Sequence, residues 1–187
     1  MSDNENRFGM FIDGPNLWHT TQALGKRIDF EKLLYVLCSK GAVPAILEFF
    51  YDYRPKDQLS PHFQNFLQAL KALGFKTIAV EQKNYYGNNP NREFKSRTDA
   101  MLIMHATEHL ILNHFDSLIL ISGDSDFEFL TKRCWELKKE VIILSATSNL
   151  ANNLKNYATS IVRLDKLSKK GMGILMPIGK EDFIAPL

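Results

Sequence analysis

Short apolar runs, rich in β-branched and aromatic residues, alternate along this chain with longer stretches whose apolar positions recur every three or four residues. The runs are Phe8 to Ile12, Ala45 to Tyr51, Thr77 to Val80, Leu118 to Ile121, Val141 to Leu144 and Ile161 to Leu164. Each is nearly continuous rather than alternating, the pattern of a strand buried on both faces. Between the first two, Phe30, Leu33, Leu34 and Leu37 keep helical spacing behind a capping Asp29, and Gly41 stops the segment. Ser60-Pro61 predicts the cap and first turn of a helix ending at Gly74, a long helix follows Asp99, and Asp124 to Lys138 and Ser148 to Ala158 predict two more. Strands and helices in strict alternation predict an α/β fold of three layers, a mostly parallel sheet of about six strands between helices. The rhythm breaks after Asp165 in KLSKKGMGILMPIG. Residues 1–164 are therefore expected to form one domain and 165–187 a C-terminal extension.

Composition narrows the class without naming a function. A chain of 187 residues with 45% hydrophobic and 24% charged side chains is large enough for one proper core. A formal charge of +2 excludes a histone-like polycation, so the local placement of charge decides the partner question. The start MSDNENR is polar, and no apolar run approaches the ~18 residues of a membrane span. A cytoplasmic location with no membrane partner is expected. Cys38 and Cys134 lie far apart, with no Cys or His at zinc spacing, and are expected to be reduced core thiols.

Ligands of open α/β sheets bind beyond the carboxyl ends of the strands. After the first strand comes IDGPN, with Asp13 and Asn16; after the fourth comes SGDSD, with Ser122, Asp124 and Asp126; and NREFKSRTDA carries Asp99 near its end. Any one of these acids could be a helix cap. As a set they repel one another unless protons or a cation compensate, and oxygen ligands with no Cys or His among them suit Mg²⁺ or Mn²⁺. A divalent ion held there points to phosphoester hydrolysis.

The successive stretches FIDGPN, FKSRTDAMLIMHA, LILISGDSDFEFLTKRCWELKKEVIIL and SNLANNLKNYATSIVRL also resemble the motifs of NYN domains, the PIN-like nucleases of the LabA-like group. The resemblance spans about Arg7 to Leu164. It implies a Rossmann-like (PIN-like) fold, a metal-dependent ribonuclease activity, an acidic site of Asp13, Asp99, Asp124 and Asp126, and an Asn16 that orients a ligand or water. The chain departs from the family pattern at Ser96-Arg97-Thr98, at His105 and at Glu140.

Other chemistries fit less well. His105-Ala-Thr-Glu108-His109 matches HxxEH literally, but its apolar flanks, Met101 to Met104 and Leu110 to Leu112, read as a buried crossover helix rather than a zinc site. Pro15 stands where a haloacid dehalogenase needs its second Asp, and GxGxxG, GxxxxGK[ST] and GxSxG loops are missing. The expected substrate surface is Lys83 to Arg97, where Arg92, Lys95 and Arg97 would track phosphates and Tyr85 and Tyr86 would stack on unpaired bases, with Ser122 close to the acids. Tyr51, Tyr53, Arg54, Lys56, Trp18 and His19 reach the same edge. The expectation is a ribonuclease on single-stranded RNA using Mg²⁺ or Mn²⁺. The alternative is a catalytically silent RNA- or partner-binding module on the same fold, and homo-oligomerisation stays an open partner question.

Overall fold

A computed structural model describes residues 6–54, 58–84, 94–95, 97–167 and 173–177, with the side chains of 83, 84, 94 and 95 left aside. The elements run β1 (Asn6–Asp13), α1 (Gly14–Leu24), β2 (Lys26–Ile28), α2 (Phe30–Cys38), β3 (Ala42–Tyr53), α3 (Pro61–Ala72), β4 (Lys76–Glu81), β5 (Lys83–Asn84) and β6 (Phe94–Lys95). There follow α4 (Thr98–Ile111), β7 (Ser117–Ile121), α5 (Glu128–Glu136), β8 (Glu140–Ser145), β9 (Ser160–Arg163), α6 (Leu164–Leu167) and β10 (Leu175–Pro177).

Six strands form one sheet in the order β4-β3-β1-β7-β8-β9, every neighbour parallel. This is the doubly wound order, reversing direction between β1 and β7. Ile12 lies opposite Phe49 on one side and Ile121 on the other. The residues that follow, Asp13 and Ser122, therefore emerge side by side at the reversal, where doubly wound sheets leave their ligand crevice.

Alternation along β1 supplies both faces of the core. Met10 and Ile12 join Leu17, Phe30, Leu33 and Leu67 under α1, α2 and α3. Phe11 joins Leu102, Ala106, Phe127 and Leu130 under α4 and α5. Phe11, Phe50, Phe115 and Phe127 are fully buried, each contributing on the order of 2 to 3 kcal/mol of apolar transfer.

Several elements differ from the sequence pattern, for local reasons. Gly14–Leu24 forms α1, a helix the periodicity did not announce: GPNLWHTTQAL has few apolar positions and two threonines. Its ends define it instead. The Asp13 side chain accepts from Asn16 N–H, and Gly25 closes the other end at φ 59°, donating its N–H to Gln22 and Thr21 carbonyls.

Ser148 to Ala158, expected as a helix, forms only a 3₁₀ turn at Asn153–Asn156. Its backbone and side chains are bonded elsewhere: Ala151 N–H donates to the Gly123 carbonyl, Asn149 Nδ2 to Thr20 Oγ1, and Asn153 Nδ2 to Glu128 Oε2. The helix expected from Asp124 starts as a 3₁₀ turn at Ser125–Phe127 before α5.

After the break that follows Asp165, β10 pairs antiparallel with β2, Asp29 N–H donates to the Ile174 carbonyl at 2.7 Å, and Ile174 is buried. Cys134 is buried as expected, which pushes its thiol up to about 12, but Cys38 is exposed at the end of α2. The crossover α4 is not buried all round either, since Met104 and Ile111 are exposed.

Candidate active site

Asp13 is the centre of the site. As the last residue of β1 it is 2% exposed, and its two oxygens are committed separately: Oδ1 accepts from Asn16 N–H at 3.3 Å and Oδ2 from Ser122 Oγ at 2.9 Å. Ser122 Oγ in turn accepts from Asp124 N–H at 3.2 Å. One hydroxyl thus ties the carboxylate ending β1 to the loop after β7. A second tie runs beside it, Gly123 N–H to Asn16 Oδ1 at 3.2 Å. Glycine is required at 123 because a Cβ there would stand inside van der Waals contact of the Asn149 carbonyl and Ser145 Oγ.

Asp124 Oδ1 accepts from Asp126 N–H at 3.0 Å and from Ser125 Oγ at 3.4 Å. It therefore does cap the 3₁₀ turn, as Asp13 caps α1. Asp99 is not a cap. It is the second residue of α4, whose N-cap is Arg97, and it faces the same cleft.

That cleft has a volume of about 160 Å³ and is lined by Asp13, Asn16, His19, Thr98, Asp99 and Asp124, with Pro15 at its border. Burial and then the Asp99 carboxylate, with a smaller contribution from Asp124, push the Asp13 carboxyl up to about 7, against the opposing effect of its bonds to Ser122 and Asn16. Like charges have been brought together, and among the described residues the cleft lining holds no Lys or Arg.

Asp13, Asp99, Asp124 and Asn16 meet at one place. Asp126 does not line the cleft: it is exposed on the 3₁₀ turn and contributes its N–H to Asp124. Ser122, expected at the substrate, is 2% exposed and joins the two acids. Arg97 Nη2 donates to the Glu81 carbonyl at 3.3 Å, placing the guanidinium at the end of β4. Lys95 is placed by its backbone alone, paired with Lys83. Tyr85, Tyr86, Arg92 and Lys56 lie outside the described residues.

Two further residues complete the lining. His19, expected at this edge behind the first strand, lies one helical turn from Asn16 and does reach the cleft, whereas Thr98 carried no functional signal beyond standing next to Asp99. The histidines of the HxxEH match sit elsewhere on α4, where His105 Nδ1 lies 3.0 Å from Glu48 Oε2. Glu48 is an acid buried in β3 that also receives Lys76 Nζ at 3.3 Å.

Among the described residues no three His, Cys, Asp or Glu side chains form a closed ligand group for a metal. The cleft offers carboxylate and amide oxygens with a histidine at its exposed rim. This donor set fits a hard divalent cation and not a thiolate-seeking one.

A doubly wound sheet with a carboxylate cleft at its reversal is the architecture of the PIN-like nuclease class. The family model described as the NYN domain matches residues 7–165, and the chain belongs to the NYN domain family, within the PIN-like nuclease superfamily. The chain is similar to the low amplitude and bright protein LabA of Synechococcus elongatus, at 23% identity covering 89% of this chain and 88% of that protein. Its fold is similar to the crystal structure of a protein of unknown function from Vibrio parahaemolyticus. There the TM-score is 0.70 at 19% identity, covering 88% of this chain and 96% of the other. Among the described residues no helix is long and apolar enough to cross a membrane.

Proposed function

We propose that this protein is a metal-dependent ribonuclease that hydrolyses phosphodiester bonds of single-stranded RNA. The observation that carries the reading is the convergence of Asp13, Asp99 and Asp124 on one cleft, where burial first and the neighbouring acids second raise Asp13 to about 7. A fold stores such repulsion only where something positive relieves it, and family membership makes RNA the expected substrate class. Asp13, Asp99 and Asp124 would hold Mg²⁺ or Mn²⁺, with Asp126 adding negative field from the outer turn. When bound, a divalent ion polarises a phosphoryl oxygen and lowers the pKa of water.

The remaining roles belong to the chain itself. Ser122 fixes the spacing of Asp13 and Asp124 through its two hydrogen bonds, and Asn16 braces the loop after β7 through Gly123. Arg97, beside Asp99 at the start of α4, would receive a substrate phosphate, with Lys95, Arg92, Tyr85 and Tyr86 extending the RNA surface. Residues 1–164 would be the catalytic domain and 165–187 an appended segment.

The test is cleavage of an unstructured RNA in Mg²⁺ and in Mn²⁺. Asp124→Asn should abolish cleavage while RNA affinity stays equal or rises, because the change removes negative charge that faces phosphates. Wild type that binds RNA and never cuts it in either metal would instead assign the silent binding module.

A further inference from the structure

The acidic cleft opens beside a far larger cavity, and the two share Pro15 and His19 as a common border. The second cavity has a volume of about 660 Å³, a size typical of small-molecule sites, between α1, β3 and α3. At about 160 Å³ the cleft has room for a phosphodiester group but little for what is attached to it. We propose that the larger cavity binds the nucleobase of a nucleotide adjoining the scissile phosphodiester. The proposal rests on the ribonuclease reading of the cleft and adds a base-reading subsite to it.

The walls suit a base. Trp18 of α1, Phe49 and Tyr51 of β3 and Phe63 and Phe66 of α3 line the cavity. Their orientation is set before any ligand arrives: Phe49 lies edge-on to Phe66 with centroids 5.4 Å apart, and Tyr51 edge-on to Phe63 at 5.3 Å. Unpaired bases are held by such aromatic faces and told apart by hydrogen bonds to their edges.

A donor for that reading is in place. Gln22 of α1 lines the cavity, and its Nε2 is shut off from solvent with no hydrogen-bond partner among the described residues. Buried amide nitrogens are almost always satisfied, no described residue satisfies this one, and a base carbonyl that reached it on binding would.

The charge of the lining separates a base from a phosphate. Among the described residues Arg27 is the only Lys or Arg in it, and the acid Asp52 stands in the same lining. A purely apolar ligand would leave Gln22 unanswered and would waste the polar rim that His62 and Asn65 provide.

The chain's other tryptophan, Trp135, lies exposed on α5, so in a Trp135→Phe protein the emission reports Trp18 alone. UMP, CMP, AMP and GMP are titrated separately in EDTA. Saturable quenching is expected, unequal among the four bases, and retained in Asp124→Asn. Gln22→Leu should weaken the preferred nucleotide by roughly tenfold and level the preference. Gln22→Glu, which keeps the size but offers acceptors only, should reorder the preference even if the leucine variant folds poorly. On RNA, both variants should relax selectivity at one position next to the cut.

Cleavage of RNA with no quenching by any nucleotide would overturn the pocket and leave the nuclease reading standing. Quenching without any cleavage would sink the nuclease reading and leave a base pocket with no scissile bond beside it. Binding of anilinonaphthalene sulfonate with no response to nucleotides would reassign the cavity to an apolar ligand and overturn the proposal.

Discussion

In EDTA the substitution Asp13→Asn should make this protein more stable at pH 8, although it removes a central residue of the site. Burial and the neighbouring acids raise the Asp13 carboxyl from the ordinary 3.8 to about 7 in the folded state. The folded protein therefore holds a proton that the unfolded chain has already lost between those values, and unfolding releases it. Stability falls as pH climbs through that window, the reverse of an acid held low by a cation. At 1.36 kcal/mol per pKa unit the whole loss is on the order of 4 kcal/mol, complete above pH 7 or so. An amide at the position keeps an oxygen for Asn16 N–H and a polar partner for Ser122 Oγ, and carries no charge for Asp99 and Asp124 to repel. The gain at pH 8 should be roughly 2 to 4 kcal/mol, or about 5 to 15 °C in Tm for a chain of this size. Urea titrations in EDTA at pH 5, 6, 7 and 8 measure it, and the difference between wild type and variant cancels the titrating groups that Asp13 does not interact with. Adding Mn²⁺ at pH 8 should then raise the wild-type Tm more than the variant's, since the variant keeps only Asp99 and Asp124 for an ion to relieve. A variant that is less stable in EDTA at pH 8, or a difference that does not grow between pH 5 and pH 8, would refute the electrostatic account of the cleft.

Gly123→Ala should cost roughly 2 to 3 kcal/mol by thermal melting and lower RNA cleavage, because the added methyl pushes the loop off Asn149 and away from Asn16. Phe11→Ala, at a fully buried position packed edge-on to Phe115 at 5.9 Å, should cost about 3 to 5 kcal/mol in urea titrations. Asp116→Asn breaks the pairing with Arg7 at 3.0 Å and Lys139 at 3.4 Å, yet both Arg7 and Asp116 are 39% exposed, so it should cost about 1 kcal/mol or less. The Arg7 hydrogen bond, more than burial can offset, holds the Asp116 carboxyl below its usual range. Its contribution should therefore be present at neutral pH and vanish on acidification, opposite in sign to that of Asp13.

The sheet was legible in the sequence because its central strands β1, β7 and β8 are buried on both faces and appear as apolar runs, with the half-buried β3, β4 and β9 close to that pattern. Each of the six runs became one of the six parallel strands. What stayed hidden is structure that depends on its ends or on distant partners. Helix α1 has little apolar periodicity and is defined by Asp13 at one end and Gly25 at the other. The Ser148 to Ala158 stretch has helical apolar spacing, yet its polar groups are taken by Gly123, Thr20 and Glu128, from distant parts of the chain. Glu48 shows the same limit inside a strand. An acid in the run Ala45 to Tyr51 gives no hint that it will be buried beside His105 and Lys76.

The site shows why the acids could be found and their arrangement could not. Asp13 and Asp124 were visible because each follows a buried strand, and the strand order puts those two ends side by side. What separates Asp124 from Asp126 is a 3₁₀ turn: the first carboxylate faces into the cleft while the second residue spends its N–H on the first and turns its side chain to solvent. Two positions apart in sequence therefore became two different environments. The same turn explains Ser122. A serine next to catalytic-looking acids reads as a substrate contact. A serine whose hydroxyl donates to one acid and accepts from the backbone of the other is the part that holds them at fixed spacing. Ser122→Ala tests this. It should leave the RNA-binding surface untouched and lower the Mn²⁺-induced rise in Tm, because the two carboxylates lose their common tether. Weakened RNA affinity with an unchanged metal response would instead make Ser122 the substrate contact that the sequence suggested.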